Sequence, residues 1–156
     1  MADGYPEGID CLWVATDREG KVGAFITAGE GPIPALAFGF EAFTAFSLEE
    51  MLLALEVSTL ATVLVDVPRP DSFLALAGRG VFVYDWGEFH SNPVGDRHSY
   101  RLVAVPREPI VVAALPPEVA GIASTICLSD GPFGLALVID PRGAMACKEK
   151  LAWTPT

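Results

Sequence analysis

The residue types best suited to chemistry lie together in one segment, residues 81–100. It contains both histidines of the chain, together with several carboxylates and aromatic rings. The candidate binding residues in this segment are Tyr84, Asp85, Trp86, Glu88, His90, Asp96 and His98. Imidazole and carboxylate groups coordinate metals and transfer protons, and aromatic side chains are enriched at protein interfaces. The segment therefore presents three alternatives: a metal site, a catalytic site or an interaction surface.

A metal site in this segment lacks a recognised ligand spacing. A helical zinc site needs two histidines in an H-E-x-x-H pattern. His90 and His98 are eight residues apart, and Pro93 and Gly95 between them exclude a continuous helix. Facing strands of a hairpin could bring the histidines and an aspartate together, but Arg97 would repel a cation there. We therefore predict no metal and no cofactor, and interpret the run as a polar loop.

Nucleophilic catalysis has little support in the same segment. Ser91 and Ser99 lie near the histidines, but neither stands in the strained G-x-S-x-G turn that exposes a nucleophile. Glu49 and Glu50 are adjacent on a predicted helix, so their carboxylates diverge instead of converging on a substrate. The sequence favours a chain that is not an enzyme. A small enzyme or metal-binding domain that uses the Asp85–His98 loop is the alternative.

Tyr84 and Trp86 lie two positions apart at the end of a predicted strand, so their side chains point to the same face. One interpretation places them in solvent as contact residues of an interface. The other, which we favour for the rings themselves, places them at the edge of the core. The charged and aromatic loop as a whole is predicted to be an interaction surface.

Charge limits the classes of partner. The chain has 156 residues and a formal net charge of −10, from 20 acidic and 10 basic residues. Residues 1–60 contain ten acids and two bases, so most of the negative charge lies in that part. Nucleic-acid binding needs a positive surface that replaces phosphate counterions. We therefore expect no nucleic-acid partner. The charge is compatible with a basic protein partner, but the interpretation that we favour is that it keeps an apolar domain soluble.

Hydropathy and cysteine content bear on the compartment. The mean hydropathy is +0.41, but the most apolar region is interrupted at Pro116, Pro117 and Glu118, too soon for a membrane span. The first residues lack the basic and apolar blocks of a secretory signal. Three widely spaced cysteines are not an even disulfide set. We expect a cytoplasmic protein with no membrane contact, in which an apolar surface patch would favour a homo-oligomer.

Local patterns identify a hairpin and a helix in the first half of the chain. Alternating side chains over residues 11–16 and 22–28, joined by a turn that closes at Gly20, predict a β-hairpin. Ser47 and Glu50 form a capping pattern ahead of apolar residues at helical spacing. We therefore expect a helix that begins at Ser47.

The remaining patterns predict a single α+β domain over residues 1–156. Strands are predicted within residues 61–68, 81–86, 100–106 and 109–115, with two more within 125–140, and short helices within 70–78 and 116–124. A helix between the strands near residues 62 and 85 would make a parallel crossover. We expect a mixed or mainly antiparallel sheet with two or three short helices on one face.

Three blocks of sequence carry a resemblance: DCLWVATDREGKVGAFITAGEGPIP, RGVFVYDW and YRLVAVP. Together they resemble a group of small bacterial proteins for which no activity is established, so no site residue follows from this likeness. In size and negative charge the chain also resembles the acidic immunity proteins of bacterial toxin systems. That likeness implies a cytoplasmic, non-enzymatic domain that binds a protein partner in an immunity or accessory role.

Overall fold

The structure, a computed structural model, describes residues 12–27, 31, 33, 47–67, 70–86, 100–128 and 132–139. Its strands are β1 (Leu12–Thr16), β2 (Val22–Ile26), β3 (Ala61–Val63), β4 (Phe82–Trp86), β5 (Tyr100–Pro106) and β6 (Val138–Ile139). Its α-helices are α1 (Ser47–Leu53), α2 (Asp71–Ala77) and α3 (Pro117–Ser124). The strands form one mixed sheet. The predicted α+β fold is therefore confirmed.

The β1–β2 hairpin forms where the sequence predicts it. Gly20 closes the turn with a φ of +83°, a conformation that glycine adopts without steric cost. Asp17 begins the turn, and its Oδ1 accepts hydrogen bonds from the backbone N–H groups of Glu19 (2.8 Å) and Lys21 (2.9 Å). The aspartate therefore fixes the chain reversal through its own side chain.

The strand order across the sheet is β1-β2-β4-β5-β3. β2 and β4 are parallel, whereas the other neighbouring strands are antiparallel. β6 pairs with the first residues of β5, on the side away from β4. Because β3 and β4 both run antiparallel to β5, the α2 connection is the predicted parallel crossover. β5 lies between β3 and β4, the two strands that α2 connects. Local sequence patterns did not show this strand order.

The three helices cover one face of the sheet and enclose an aliphatic core. Leu48 and Leu52 of α1, Leu76 of α2 and Ile122 of α3 are buried in it. The buried strand residues on this face are Leu12, Val14, Val22, Ala24, Val83, Val103 and Ala104. Complete burial of one such aliphatic side chain contributes about 1.5–3 kcal/mol. The apolar stripe predicted for α1 is thus a packing surface.

Arg79, just after α2, ties the ends of two helices together. Its guanidinium donates to the backbone carbonyls of Leu53 (2.9 Å) and Leu55 (3.1 Å), at the end of α1. It also donates to the carbonyl of Ala75 in the last turn of α2 (2.8 Å). Carbonyls at helix ends lack intrahelical donors, so this side chain satisfies groups that would otherwise need water.

The opposite face of the sheet is aromatic. Trp13 stacks on Phe25 with ring centroids 4.3 Å apart, and Phe25 stacks on Tyr84 at 5.0 Å. Tyr100 meets Trp13 and Phe25 edge-on. The later residues buried against these rings are Ile126, Leu128, Phe133 and Ile139. Buried apolar residues therefore lie on both faces of the sheet, in keeping with the high mean hydropathy of the chain.

The strand predicted within residues 109–115 is wrong. The segment instead contains a 3-10 turn at Val112–Ala114, preceded by one bridge between Val111 and Lys21. The N–H of Val112 donates to the carbonyl of Gly20 at 2.7 Å. This contact anchors the segment to the hairpin turn, so its apolar residues pack without joining the sheet as a strand.

The strands predicted near the end of the chain are shorter than expected. Within residues 125–140 the structure has the two-residue β6 and isolated bridges at Cys127, Phe133 and Ala136. Oδ2 of Asp17 accepts the N–H of Phe133 at 2.9 Å. A side-chain acceptor thus takes the place of a ladder partner at that position.

Candidate functional site

The predicted interaction segment is described at its two flanks. β4 ends at Trp86 and β5 begins at Tyr100, and these residues are direct partners in the antiparallel ladder. The strands that flank the loop are therefore those that the sequence predicts. The candidate residues outside the described part of the chain are Glu88, His90, Asp96 and His98. Their binding role stays a prediction.

Tyr84 and Trp86 lie in the aromatic core. Tyr84 is fully buried, and its hydroxyl donates to the carbonyl of Ala136 at 2.6 Å. Trp86 is also buried and meets Tyr100 edge-on, with ring centroids 5.2 Å apart. The core placement that the sequence favoured for these rings is confirmed. Both side chains support the strand below the loop.

Asp85 lies between these two rings in sequence and points to the other face of the sheet. It is half-buried and stands directly opposite Arg101 in the β4–β5 ladder. Opposite charges at facing positions of neighbouring strands stabilise a sheet. The register therefore gives Asp85 a structural explanation that needs no ligand.

Trp13 and Tyr100 are in direct contact within the aromatic core. The indole Nε1 of Trp13 donates to the Tyr100 hydroxyl at 3.1 Å. Gly31 approaches the same hydroxyl so closely that a Cβ at this position would overlap it. Gly31 is thus required by close packing against an aromatic ring.

Asp17 is the most buried carboxylate among the described residues and was not among the predicted site residues. It accepts three backbone hydrogen bonds, from Glu19 and Lys21 on Oδ1 and from Phe133 on Oδ2. A buried carboxylate held in this way links the hairpin to the segment that follows α3. The sequence feature that could have identified Asp17 as a buried acceptor was its position at the first residue of a turn.

Metal-ligand geometry is not found in the described part of the chain. No group of three or more histidine, cysteine, aspartate or glutamate residues lies close enough there to hold an ion. Cys127, a half-buried thiol, sits in a single parallel bridge with Thr16. The histidines belong to the segment that is not described.

Four exposed apolar side chains lie around β3, the edge strand of the sheet, while Val111, Leu135 and Leu137 are exposed elsewhere in the described part of the chain. Val57 and Leu60 each expose 68% of their surface, Leu64 exposes 46% and Leu74 exposes 38%. Val57 and Leu60 precede β3, Leu64 follows it, and Leu74 lies on α2, which packs beside it. We call these four residues the β3 apolar edge. Hydropathy indicated that such a patch could exist but did not locate it.

The β3 apolar edge has an acidic surround. Exposed acids next to it in the chain or across the ladder are Glu56, Asp66, Asp71 and Glu108. The backbone N–H of Glu108 donates to Thr59 Oγ1 at 2.9 Å, which holds Glu108 beside the residues that precede β3. The exposed base beside them is Arg107, whose N–H donates to the carbonyl of Leu60 at 2.8 Å. Among the described residues, the exposed charged side chains beside the β3 apolar edge are therefore predominantly acidic, and we call the four acids the acidic rim.

Comparisons with known proteins assign no relationship. The chain matches no protein-family model, no curated protein and no solved structure. Among the described residues, no helix is long and apolar enough to cross a membrane.

Proposed function

We propose that this chain is a non-enzymatic domain that binds a basic protein partner through the β3 apolar edge and its acidic rim. The observation that carries the proposal is the clustering of Val57, Leu60, Leu64 and Leu74 at one edge of the sheet. Single exposed apolar side chains are common on proteins, but several together mark an interaction surface.

The surroundings of this cluster match the usual composition of an interface. Protein interfaces combine an apolar centre with a polar rim that stays accessible to solvent. Among the described residues, this rim carries Glu56, Asp66, Asp71 and Glu108, beside the exposed base Arg107. Such a rim attracts a positive partner and accelerates association, while the apolar centre contributes most of the affinity.

In biological terms, we propose an immunity or accessory role in a bacterial cytoplasm. Small acidic proteins of this kind neutralise or accompany a basic partner, and the net charge of −10 suits that role. The predicted loop residues His90 and His98 form a second contact region in this proposal. The capture experiment tests binding at the β3 apolar edge.

Affinity capture with the full chain tests the proposal. Tagged wild-type protein is used as bait in bacterial lysate, beside Leu64→Lys and Val111→Lys baits. The two substituted residues are matched, because Leu64 exposes 46% of its surface and Val111 exposes 45%. Val111 lies beside the β1–β2 hairpin turn, at the other side of the sheet.

The proposal predicts one basic protein enriched by the wild-type and Val111→Lys baits and lost from the Leu64→Lys bait. Raising the salt to about 0.5 M should reduce the enrichment, because the Debye length then falls below about 5 Å. If no protein distinguishes the Leu64→Lys bait from the other two, the β3 apolar edge is not the binding surface. Capture of an acidic protein would also contradict the proposal.

A further inference from the structure

The backbone of β3 has one paired side and one side that faces outward. The N–H of Leu64 donates to the carbonyl of Val103 at 2.8 Å, and the N–H of Arg107 donates to that of Leu60. In an antiparallel ladder, alternate residues direct both backbone groups to the same neighbour. Leu60, Thr62 and Leu64 therefore face β5 with their N–H and C=O groups.

Ala61 and Val63 consequently direct their N–H and C=O groups away from β5. β3 is the last strand on this side of the sheet in the described part of the chain. Opposite Ala61 lies Pro106, which has no N–H to donate; this is tolerated because that pair needs no hydrogen bond. An edge with outward N–H and C=O groups is a template for one more strand.

The side chains of β3 divide in the same alternating way. Ala61 and Val63 pack against the helix-side core, whereas Thr62 is exposed. Leu60 and Leu64 follow the Thr62 side of the alternation, so they line the face opposite the helices. A strand added to this edge would have one face over these two leucines and the other beside α2.

The region beside α2 favours a basic side chain on that second face. Leu74 is exposed on α2, and Val57 lies over the end of this helix, where its Cγ1 approaches Gly78. The exposed acids Glu56 and Asp71 are next to them. A lysine or arginine can lay its aliphatic stem on apolar side chains while its charged end reaches a carboxylate.

We propose that β3 accepts an additional strand from the basic partner, an extended segment in which apolar and basic residues alternate. Its backbone pairs with the outward N–H and C=O groups of Ala61 and Val63. Its apolar side chains cover Leu60 and Leu64, and its basic side chains face the acidic rim. This inference rests on the proposed function and specifies how the partner binds and which chemistry the chain recognises.

A second copy of this chain suits the edge less well than a basic segment does. Pairing two β3 strands would bring together two rims that each carry Glu56, Asp66, Asp71 and Glu108. Like charges brought together at an interface oppose association, whereas a lysine-rich strand neutralises them. Charge complementarity therefore selects the basic partner as the occupant.

Amide hydrogen exchange on the full chain tests this mode of binding. The probe is a synthetic peptide about eight residues long, within the usual strand length, in which valine and lysine alternate. A matched peptide in which glutamate replaces lysine is the control for charge. Exchange is followed by NMR at Ala61 and Val63, with Leu64 as the internal control because β5 already pairs its N–H.

Saturating valine–lysine peptide should slow exchange at Ala61 and Val63 by about tenfold or more and leave the exchange rate of Leu64 within about twofold. The glutamate peptide should have no effect, and Leu64→Lys protein should show no protection. Binding of the valine–lysine peptide without protection of Ala61 and Val63 would overturn strand addition and leave the proposed function standing. Failure of the valine–lysine peptide to bind would also overturn it.

Two further results would overturn the inference. One is equal protection by the two peptides, because the acidic rim would then select nothing. The other is a dimer in light scattering that already protects Ala61 and Val63 without peptide, because a second copy would then be the occupant. Failure of the proposed function is seen separately, in the capture experiment, which uses no peptide.

Discussion

The centre of the sheet and its β3 edge use similar residue types for opposite purposes. In the centre, Phe25 and Tyr84 are fully buried and stacked, and the Tyr84 hydroxyl has an acceptor. At the edge, Leu60 and Leu64 are exposed, and the backbone of the strand between them is paired on one side. The side chains of the centre are satisfied within the chain, whereas we propose that a partner completes the edge.

This difference reverses the ranking that residue type alone suggests. Tyr84 and Trp86, beside a loop rich in charged residues, look suited to binding, yet both pack in the core. The leucines around β3 carry no reactive group, yet they are the apolar side chains exposed beside an acidic rim. In these two regions, the position of a residue in the sheet therefore determines its exposure more than its side-chain type does.

Replacement of Phe25 by alanine should have the largest effect on stability. The ring contacts Trp13, Tyr84 and Tyr100, so Phe25→Ala leaves a cavity among aromatic side chains. We expect the free energy of unfolding to fall by about 3–5 kcal/mol, measured by urea denaturation. Leu64→Ala at the edge should change it by less than about 0.5 kcal/mol. Equal losses in the two variants would remove the contrast between centre and edge.

The parts of this fold that depend on local signals were predicted from the sequence. The Asp17–Gly20 turn, the helical spacing of Leu48 and Leu52 and the proline at the start of α3 are all short-range features. Each of these features acts within a few residues. The hairpin, the three helices and the strands that flank the candidate loop could therefore be predicted from such features.

Strand order was beyond the reach of these signals. Nothing near residues 61–68 indicates that β5 lies between β3 and β4, or that β3 is therefore at the edge. The run at 109–115 has strand-like composition, but it contains a 3-10 turn, and Ile110 and Val112 donate their N–H groups to the distant residues Gly80 and Gly20. Both outcomes depend on contacts between residues distant in sequence, which one chain's periodicity does not report.

Asp17 provides the next test, because it is a buried charged residue whose contribution to stability can be compared with that of the buried aromatic rings. Asp17→Ala leaves three backbone N–H groups without their acceptor, one of them, that of Phe133, in a buried hydrogen bond, and we expect a loss of about 2–3 kcal/mol in the free energy of unfolding. Asp17→Asn keeps one acceptor oxygen and should lose less. Urea denaturation of the two variants measures both. A fully stable Asp17→Ala protein would show that the link between hairpin and Phe133 is not needed.

A smaller effect is expected from removal of the Tyr84 hydroxyl. Tyr84→Phe keeps the ring stacked on Phe25 and deletes the hydrogen bond to the carbonyl of Ala136. We expect the free energy of unfolding to fall by about 1 kcal/mol, the usual net value of one such bond. Thermal unfolding followed by circular dichroism gives the comparison. An unchanged midpoint would mean that water replaces Tyr84 as donor to this carbonyl.

The affinities of two variants for the captured partner give the sharpest test of binding at the β3 apolar edge. Leu64→Lys changes the edge, and Tyr84→Phe changes the centre beneath the candidate loop. Titration calorimetry should give a Kd at least about tenfold weaker for Leu64→Lys, a loss of about 1.4 kcal/mol, and a Kd within about twofold of wild type for Tyr84→Phe. A weaker Kd for Tyr84→Phe together with an unchanged Kd for Leu64→Lys would contradict binding at the β3 apolar edge. It would assign the binding to the Asp85–His98 loop instead.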